Sequence, residues 1–252
     1  MRKHIVIIVF CFFSILLSGI PAFASQADVS VIKNIKDVLD GVQYIGKDLY
    51  FIEDQTDQYS FDDITKLSPR QWQKSLVSTP NFGYTDSSYW FRATLRPSGK
   101  SLDKLLAIQY SLLDHIELYV AENGQLIQRY ITGDTFNFSE RPIRHRDFLF
   151  PVQFKTNQDL DLYIKVKTEG SLQLPISLWD RGQFIWQDQD EQFIKAIYYG
   201  MLLLLIVYNL FLFLSLRERS YLYYGGLVVS ILVLMSGSHG FLYQYLYPNS
   251  PY

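Results

Sequence analysis

Residues Ala196–Leu216 run for 21 positions without one formal charge. At about 1.5 Å of rise per residue, such a run crosses the roughly 30 Å hydrocarbon layer of a bilayer as a helix. The polar tetrad Arg217-Glu218-Arg219-Ser220 follows, and Tyr221–Tyr247 is again apolar apart from His239. A connection that short fits a tight helical hairpin. Its two arginines suit the cytoplasmic side, and Asp188, Asp190 and Glu191 suit the outer side of the first span. Tyr198, Tyr199, Tyr243, Tyr245 and Tyr247 would then form an aromatic belt at the outer interface. Gly225, Gly226, Ser236, Gly237 and Ser238 are small enough to let helices approach closely. Asn209 and His239 are polar at membrane depth, which reads as hydrogen bonding between helices or, as the sharper alternative, a relay or ligand contact.

The N-terminus is addressed for export. Arg2 and Lys3 precede the uncharged run Ile5–Leu17, and Ala22-Phe23-Ala24 leads into Ser25. That is the three-part secretory signal, with cleavage expected after Ala24. Cys11 is the sole cysteine. It falls inside this segment, so the mature chain is expected to carry no disulfide and no cysteine-ligated metal. Formal net charge is −2, and no basic field points to nucleic acid. The chain holds no G-x-S-x-G, no H-E-x-x-H and no Gly-rich phosphate loop, so no cofactor or metal is expected.

Between these ends the apolar pattern is short and alternating, which predicts strands. Tyr89–Arg96 is aromatic and β-branched and stops at Pro97-Ser98-Gly99. Lys104–Tyr110 and His115–Val120 follow, and Glu122-Asn123-Gly124 signals a hairpin with Gln125–Ile131 returning. Asp147–Phe154, Asp161–Thr168 and Leu172–Trp179 complete the series. Such spacing predicts an all-β sandwich of jelly-roll type. A short helix is expected around Ile64–Leu76, with Ser68-Pro69 as cap and first turn. Asp28–Leu49 reads as a first strand with an adjoining loop. The expected layout is a signal peptide over 1–24, a β-sandwich over 25–180, a juxtamembrane linker over 181–195, and spans over 196–216 and 221–247.

Several stretches resemble the bacterial 7TM receptors with diverse intracellular signalling modules, in particular their type 2 extracellular domain joined to the start of the seven-helix region. They are Tyr89-Trp90-Phe91-Arg92, Leu113–Tyr119 with Gly124, Gly133-Asp134, and Ser139–Arg146. Gly170–Pro175 ending at Trp179, and Tyr208–Phe213 running into Arg217–Tyr224, add to the likeness. The resemblance implies an outer jelly-roll-like domain that binds carbohydrate or a related small ligand. It also implies seven helices that relay its state to a cytoplasmic output, and pairing of two copies by analogy. The sequence ends after the second span. Five helices and any output module lie outside it, either because the chain is a piece of a longer one or because the gene is shortened.

The densest local chemistry is Arg141-Pro142-Ile143-Arg144-His145-Arg146. Three guanidiniums and an imidazole within six residues could grip carboxylate or phosphate oxygens by forked hydrogen bonds. The plainer reading pairs these arginines with Asp114, Asp134, Glu140 or Asp147 to pin a loop, and the same loop could face the helices and transmit motion. Trp90 and Trp179 could stack on a sugar ring or belong to the core. Arg92, in the strand of Trp90, is assigned to the opposite face. Asp114 and Glu117 admit a glycosidase-like acid and base, against ordinary turn and strand-end roles. The candidate ligand-binding set is therefore Trp90, Arg92, Asp114, Asp134, Arg141, Arg144, His145 and Arg146.

Two functions follow as expectations. One is the input and relay portion of a receptor in the inner membrane, binding a carbohydrate-like or anionic small ligand outside the cytoplasm. The alternative is a membrane-anchored carbohydrate-binding module without signalling. Catalysis ranks last.

Overall fold

The computed structural model describes residues 32–35, 42–97, 102–155 and 158–249. The signal segment over 1–24 lies outside them, as do residues 28–31 and 36–41 of the stretch Asp28–Leu49 expected as a first strand with a loop. Among the described residues thirteen strands precede the membrane helices: β1 (Ile32–Ile35), β2 (Gln43–Tyr44), β3 (Tyr50–Asp54), β4 (Gln73–Lys74), β5 (Asn81–Tyr84), β6 (Ser88–Pro97), β7 (Leu102–Ile108), β8 (His115–Glu122), β9 (Gln125–Thr132), β10 (Phe148–Phe154), β11 (Leu160–Lys167), β12 (Ser171–Gln173) and β13 (Ile176–Asp180). The larger sheet runs β4-β3-β6-β11-β8-β9, with β1 parallel to the end of β6. The smaller runs β10-β7-β13-β2, and β12 and β5 form a two-stranded flap. Apart from β1 the pairings are antiparallel.

Alternation turns one face of each sheet inward, and the two inner faces make the core of a β-sandwich. Phe91, Ala93 and Leu95 of β6, Leu162, Ile164 and Val166 of β11, and Leu118 and Val120 of β8 meet Leu106, Ile108, Phe148, Phe150, Phe154, Ile176 and Leu178 from the other sheet. Each such side chain contributes on the order of 1.5–3 kcal/mol when fully buried. The β8–β9 turn places Asn123 and Gly124 at φ +52 and +77, the left-handed pair that a two-residue hairpin demands.

Both outer faces are also covered. Over the larger sheet lies helix α1 (Phe61–Lys66), closed at its start by a reciprocal capping box between Ser60 and Asp63. The stretch Ile64–Leu76, expected as one short helix, is instead the end of α1, a 3-10 turn and strand β4. Ser68-Pro69 opens a separate 3-10 turn over Pro69–Gln71, because proline after Leu67 cannot continue the α-helical ladder. Ile64 and Trp72 pack on Tyr50, Trp90, Tyr119 and Tyr163. Leu172–Trp179 likewise divides into β12 and β13 around Pro175.

The outer face of the smaller sheet is covered by the membrane helix. Helix α2 spans Arg181–Leu216, 36 residues and so about 54 Å long. The stretch 181–195, expected as a linker, is its first part and starts directly from β13. Asp180 stands at the N-cap without a capping bond, because its carboxylate pairs with Lys104 of β7 at 2.6 Å. Phe184 is buried against Trp179, Leu105, Ala107 and Leu149. Arg217, in the left-handed conformation, reverses the chain into α3 (Arg219–Ser238), and the short α4 (Phe241–Tyr245) follows a turn at Gly240. Helices α2 and α3 are both long and apolar enough to span a membrane. Asn209 donates to Leu205 O within its own helix, at 2.7 Å, and packs beside Gly225 of α3. His239 does bond between helices, its Nδ1 lying 2.7 Å from the Tyr199 hydroxyl.

Candidate functional site

The loop between β9 and β10 carries the arginine-rich segment, and it lands on the membrane helices. Arg146, 3% exposed, sets Nη2 2.6 Å from Asp188 Oδ1 and 3.5 Å from Glu191 Oε2, both on α2. His145 Nδ1 accepts the Asp147 backbone N–H at 3.0 Å, which leaves Nε2 to donate to Asp188 Oδ1 at 3.1 Å. Burial alone would raise the Asp188 carboxyl, but His145 and then Arg146 more than offset it and hold the group below its ordinary value. Phe184, Asp188, Glu191 and Lys195 recur at helical spacing on one face of α2, so a single stripe supplies both the apolar and the acidic contacts.

Arg141 works one layer deeper. Its Nη1 donates to the backbone carbonyls of His145 and Arg146 at 2.8 and 2.7 Å, folding the loop over its own guanidinium. The cation lies over the rings of Phe148, Phe138 and Tyr243 at 4.3, 4.9 and 5.4 Å. Tyr243 belongs to α4, and its hydroxyl donates to Phe136 O. Burial lowers Arg141 to about 10, still a cation at neutral pH. Ser111 Oγ to Ser238 O at 3.4 Å and Phe138 N–H to Pro248 O at 2.9 Å add polar ties between sandwich and helices.

A cavity of about 340 Å³ sits in this junction, between Asp114, Asp134 and Arg141 of the sandwich and Gly237, Gly240 and Tyr243 of the helix hairpin. Asp134 is 8% exposed. Burial, then the neighbouring Asp114, raises its carboxyl to about 7 against the pull of Arg141. Asp114 Oδ2 accepts the Glu169 backbone N–H at 2.6 Å, and Gly133 presses so closely on Asp114 O that no side chain fits there.

Asp114, Asp134, Arg141, His145 and Arg146 thus converge on one junction, with Arg144 exposed on the same loop. Trp90 and Arg92 stand apart, on the outer face of the larger sheet. They share that face, contrary to the expectation of opposite ones, because alternation separates adjacent residues and returns every second residue to the same side. Arg92 pairs with Asp161 at 3.3 Å and lies over Tyr163. Trp90 floors a shallow cup of about 460 Å³ rimmed by Phe61, Glu117, Arg129 and Lys165. Hydrogen bonds from His115, Tyr119 and Arg129 hold Glu117 down at about 2 against its burial, so it stands as a carboxylate with its acceptors engaged. Among the described residues no three metal-ligating side chains gather at one point.

Residues 46–180 match the family model described as 7TMR-DISM extracellular 2. Residues 191–252 match the one described as 7TM diverse intracellular signalling. The chain belongs to this receptor family. It is therefore a membrane protein whose N-terminal sandwich lies outside the cytoplasm and whose helices begin the 7TM region. No match was found among curated proteins. Among solved structures it is similar to a beta-glucosidase from Kluyveromyces marxianus in complex with glucose, at 12% identity and TM-score 0.29, over 50% of this chain and 16% of that one. It is also similar to a GH31 alpha-xylosidase from Xanthomonas citri, at 12% identity and TM-score 0.27, over 56% and 17%. The chain thus spans about a sixth of the length of each, and likenesses this low carry no argument about function.

The sequence singled out the arginine loop but named Asp114, Asp134, Glu140 or Asp147 as its partners. Arg146 pairs instead with Asp188 and Glu191, which had been read only as marks of the outer side, while His145 lies between Asp188 and, at 3.8 Å, the expected Asp147. Their signal was present in the i, i+4, i+7 spacing of Phe184, Asp188 and Glu191, visible once 181–195 is taken as helix and not as linker.

Proposed function

We propose that this chain is the extracytoplasmic input and membrane-relay portion of a signalling receptor of the cytoplasmic membrane, and that its sandwich takes a carbohydrate-like or anionic small ligand. The observation that supports this most is the buried pairing of His145 and Arg146 with Asp188, beside which Glu191 stands half-exposed. It joins a sandwich loop to a helix that continues without interruption into the bilayer. A soluble binding domain hung on a loose tether gains nothing from burying charges against its anchor. A relay does, because displacement of the loop must move the helix.

The test uses the full chain in lipid nanodiscs, screened with neutral glycans, acidic glycans and phosphorylated sugars. Thermal unfolding reports binding, since a ligand at a hundred times Kd stabilises the fold by about 2.7 kcal/mol. Hydrogen exchange over residues 181–195 reports relay. A class that stabilises the sandwich and also changes exchange in 181–195 supports the proposal. Stabilisation with unchanged exchange there would favour an anchored binding module, and no response to any class would remove the small-ligand reading.

A further inference from the structure

Asp114 and Asp134 meet where two loops of the sandwich are sewn together. Asp114 lies between β7 and β8, and Asp134 opens the loop between β9 and β10 that carries Arg141, His145 and Arg146. The Asp134 backbone N–H donates to Leu113 O at 2.9 Å, the Thr135 hydroxyl donates to Asp114 O at 2.6 Å, and Gly133 lies against the same carbonyl. Between these stitches the two carboxyls share a hydrogen bond. Ionised carboxylates only accept, so that bond requires one of the two to hold a proton. Burial, and then the Asp114 charge, raise Asp134 to about 7 and so favour the proton there. Arg141 is near enough to pull the other way, yet its Nε and Nη2 have no hydrogen-bond partner among the described residues. Both side chains are buried, Asp134 8% and Arg141 5% exposed. The cation next to the pair therefore has donor capacity unspent.

We infer that the Asp114–Asp134 pair is a proton-operated switch: protonated, Asp134 stays on Asp114 and the arginine loop keeps its docking on the helices; ionised, Asp134 leaves Asp114 for Arg141 and loosens that docking. The inference rests on the receptor reading and adds a second input to it, the acidity outside the cytoplasm. Two adjacent buried carboxylates do not both ionise in place. The other charged neighbours are already engaged. Arg146 pairs with Asp188, Lys167 at the end of β11 with Asp57, and His115 of β8 with Glu117. Tyr110 after β7, Tyr243 of α4 and the acids Asp86, Glu140 and Glu169 offer an ionised Asp134 no cation. Arg141 is left, and its Nε/Nη2 edge is the fork that a carboxylate fits. Taking that edge turns a guanidinium whose Nη1 holds the carbonyls of His145 and Arg146, the residues that meet Asp188 of α2. The sign follows from linkage. Freed into water, Asp134 titrates near its ordinary 3.8, whereas the closed pair keeps the proton to about 7. Opening releases a proton between those values, so docking weakens as pH rises through them and levels off above.

The experiment is hydrogen exchange of the full chain in nanodiscs without added ligand, from about pH 5 to about pH 8, each rate normalised to the intrinsic rate at that pH. Protection over 181–195 should fall by about tenfold or more between pH 5 and pH 7 and then level off. Asp134→Asn keeps a donor towards Asp114 at every pH, so its protection should stay at the acid level and change by less than about twofold. Should that variant fail to fold, Asp114→Asn decides, because its amide donates to an ionised Asp134 and should likewise flatten the response. His145→Gln and His239→Gln remove the imidazoles on the helix side of the junction and should leave the response in place. Protection in 181–195 that does not change with pH, a response that survives the Asp134 or Asp114 variant, or one that vanishes with either histidine would each overturn the inference. The receptor proposal is judged apart from it, by the response to glycans at one fixed pH. A glycan response without a pH response removes the switch alone, and a pH response without a glycan response removes the small-ligand reading and spares the switch.

Discussion

The clamp between Arg146 and Asp188 gives a quantity that can be measured against a control in the same molecule. Arg146 is 3% exposed and Asp188 13%, with 2.6 Å between the charged atoms. Removing one partner of a fully buried pair costs about 3–5 kcal/mol, chiefly because the other charge is stranded. Here Asp188 would keep His145 and the Gln192 amide, so part of that cost is relieved. We therefore expect Arg146→Ala to destabilise the docked sandwich by about 2–3 kcal/mol, and the Arg146/Asp188 double-mutant cycle to return a coupling of about 1.5–3 kcal/mol. The assay is urea unfolding of the full chain in nanodiscs, followed by tryptophan fluorescence. Trp179 reports locally, since its ring meets Phe184 of α2 edge-on at 5.6 Å. The control is Arg96–Asp159, a paired but exposed contact that solvent screens. A coupling for Arg146–Asp188 no larger than that of the control would refute the claim that the junction is a desolvated clamp. The relay argument would fall with it.

The remaining expectations concern the same region. Asp134 is held at about 7 in the folded chain against 3.8 ordinarily. Between those values the folded state keeps a proton that the unfolded state has lost, so stability is highest below about pH 4 for this group and declines as pH rises towards 7. Asp134→Asn should flatten that slope in thermal melts taken across the window, and an unchanged slope would count against the assignment. Phe184→Ala should cost about 3 kcal/mol and raise hydrogen exchange in 181–188 while leaving the β6–β11–β8 amides protected. Gly133→Ala would place a Cβ 1.8 Å from Asp114 O, and should cost about 3 kcal/mol or more in urea unfolding, with reduced yield of folded chain.

Most of the sandwich is legible in the sequence because its strands obey a local rule. Asp147–Phe154 and Asp161–Thr168 read as alternating strands, Tyr89–Arg96 as an aromatic and branched one, and the Asn123-Gly124 turn fixes one hairpin outright. What escapes is long-range. Strand β1 lies parallel beside the end of β6, and no local pattern announces that pairing. Ser68-Pro69 does open a helical turn, as its cap and first residue announce, but the turn ends at Gln71 because Gln73–Lys74 is drawn into the sheet beside β3. The site was half legible. A cluster of arginines announces that something anionic is near, and Asp134 and Arg141 were named for it. Which anion meets which arginine depends on α2 lying across the smaller sheet, a tertiary fact. The miss over 181–195 has a physical cause too: the segment is too polar to read as a span, and its helical stripe covers only about two turns of contact.

Two dockings of the hairpin on the sandwich can serve as a switch only if a ligand favours one of them. Moving such an equilibrium from 1:99 to 99:1 takes about 5.5 kcal/mol of differential binding. A molecule in the Trp90 cup touches sandwich residues alone, so it meets the same surroundings in either docking and supplies none of that difference directly. A molecule in the junction cavity is bounded by Gly237, Gly240 and Tyr243, which move with the helices. A molecule there meets different surroundings in the two dockings, which is what such a difference requires. Arg141 in turn is held by Tyr243 stacking and by the two carbonyls of the loop that carries Arg146. The lining of the junction, shared between sandwich and hairpin, thus suits a switch and that of the cup does not.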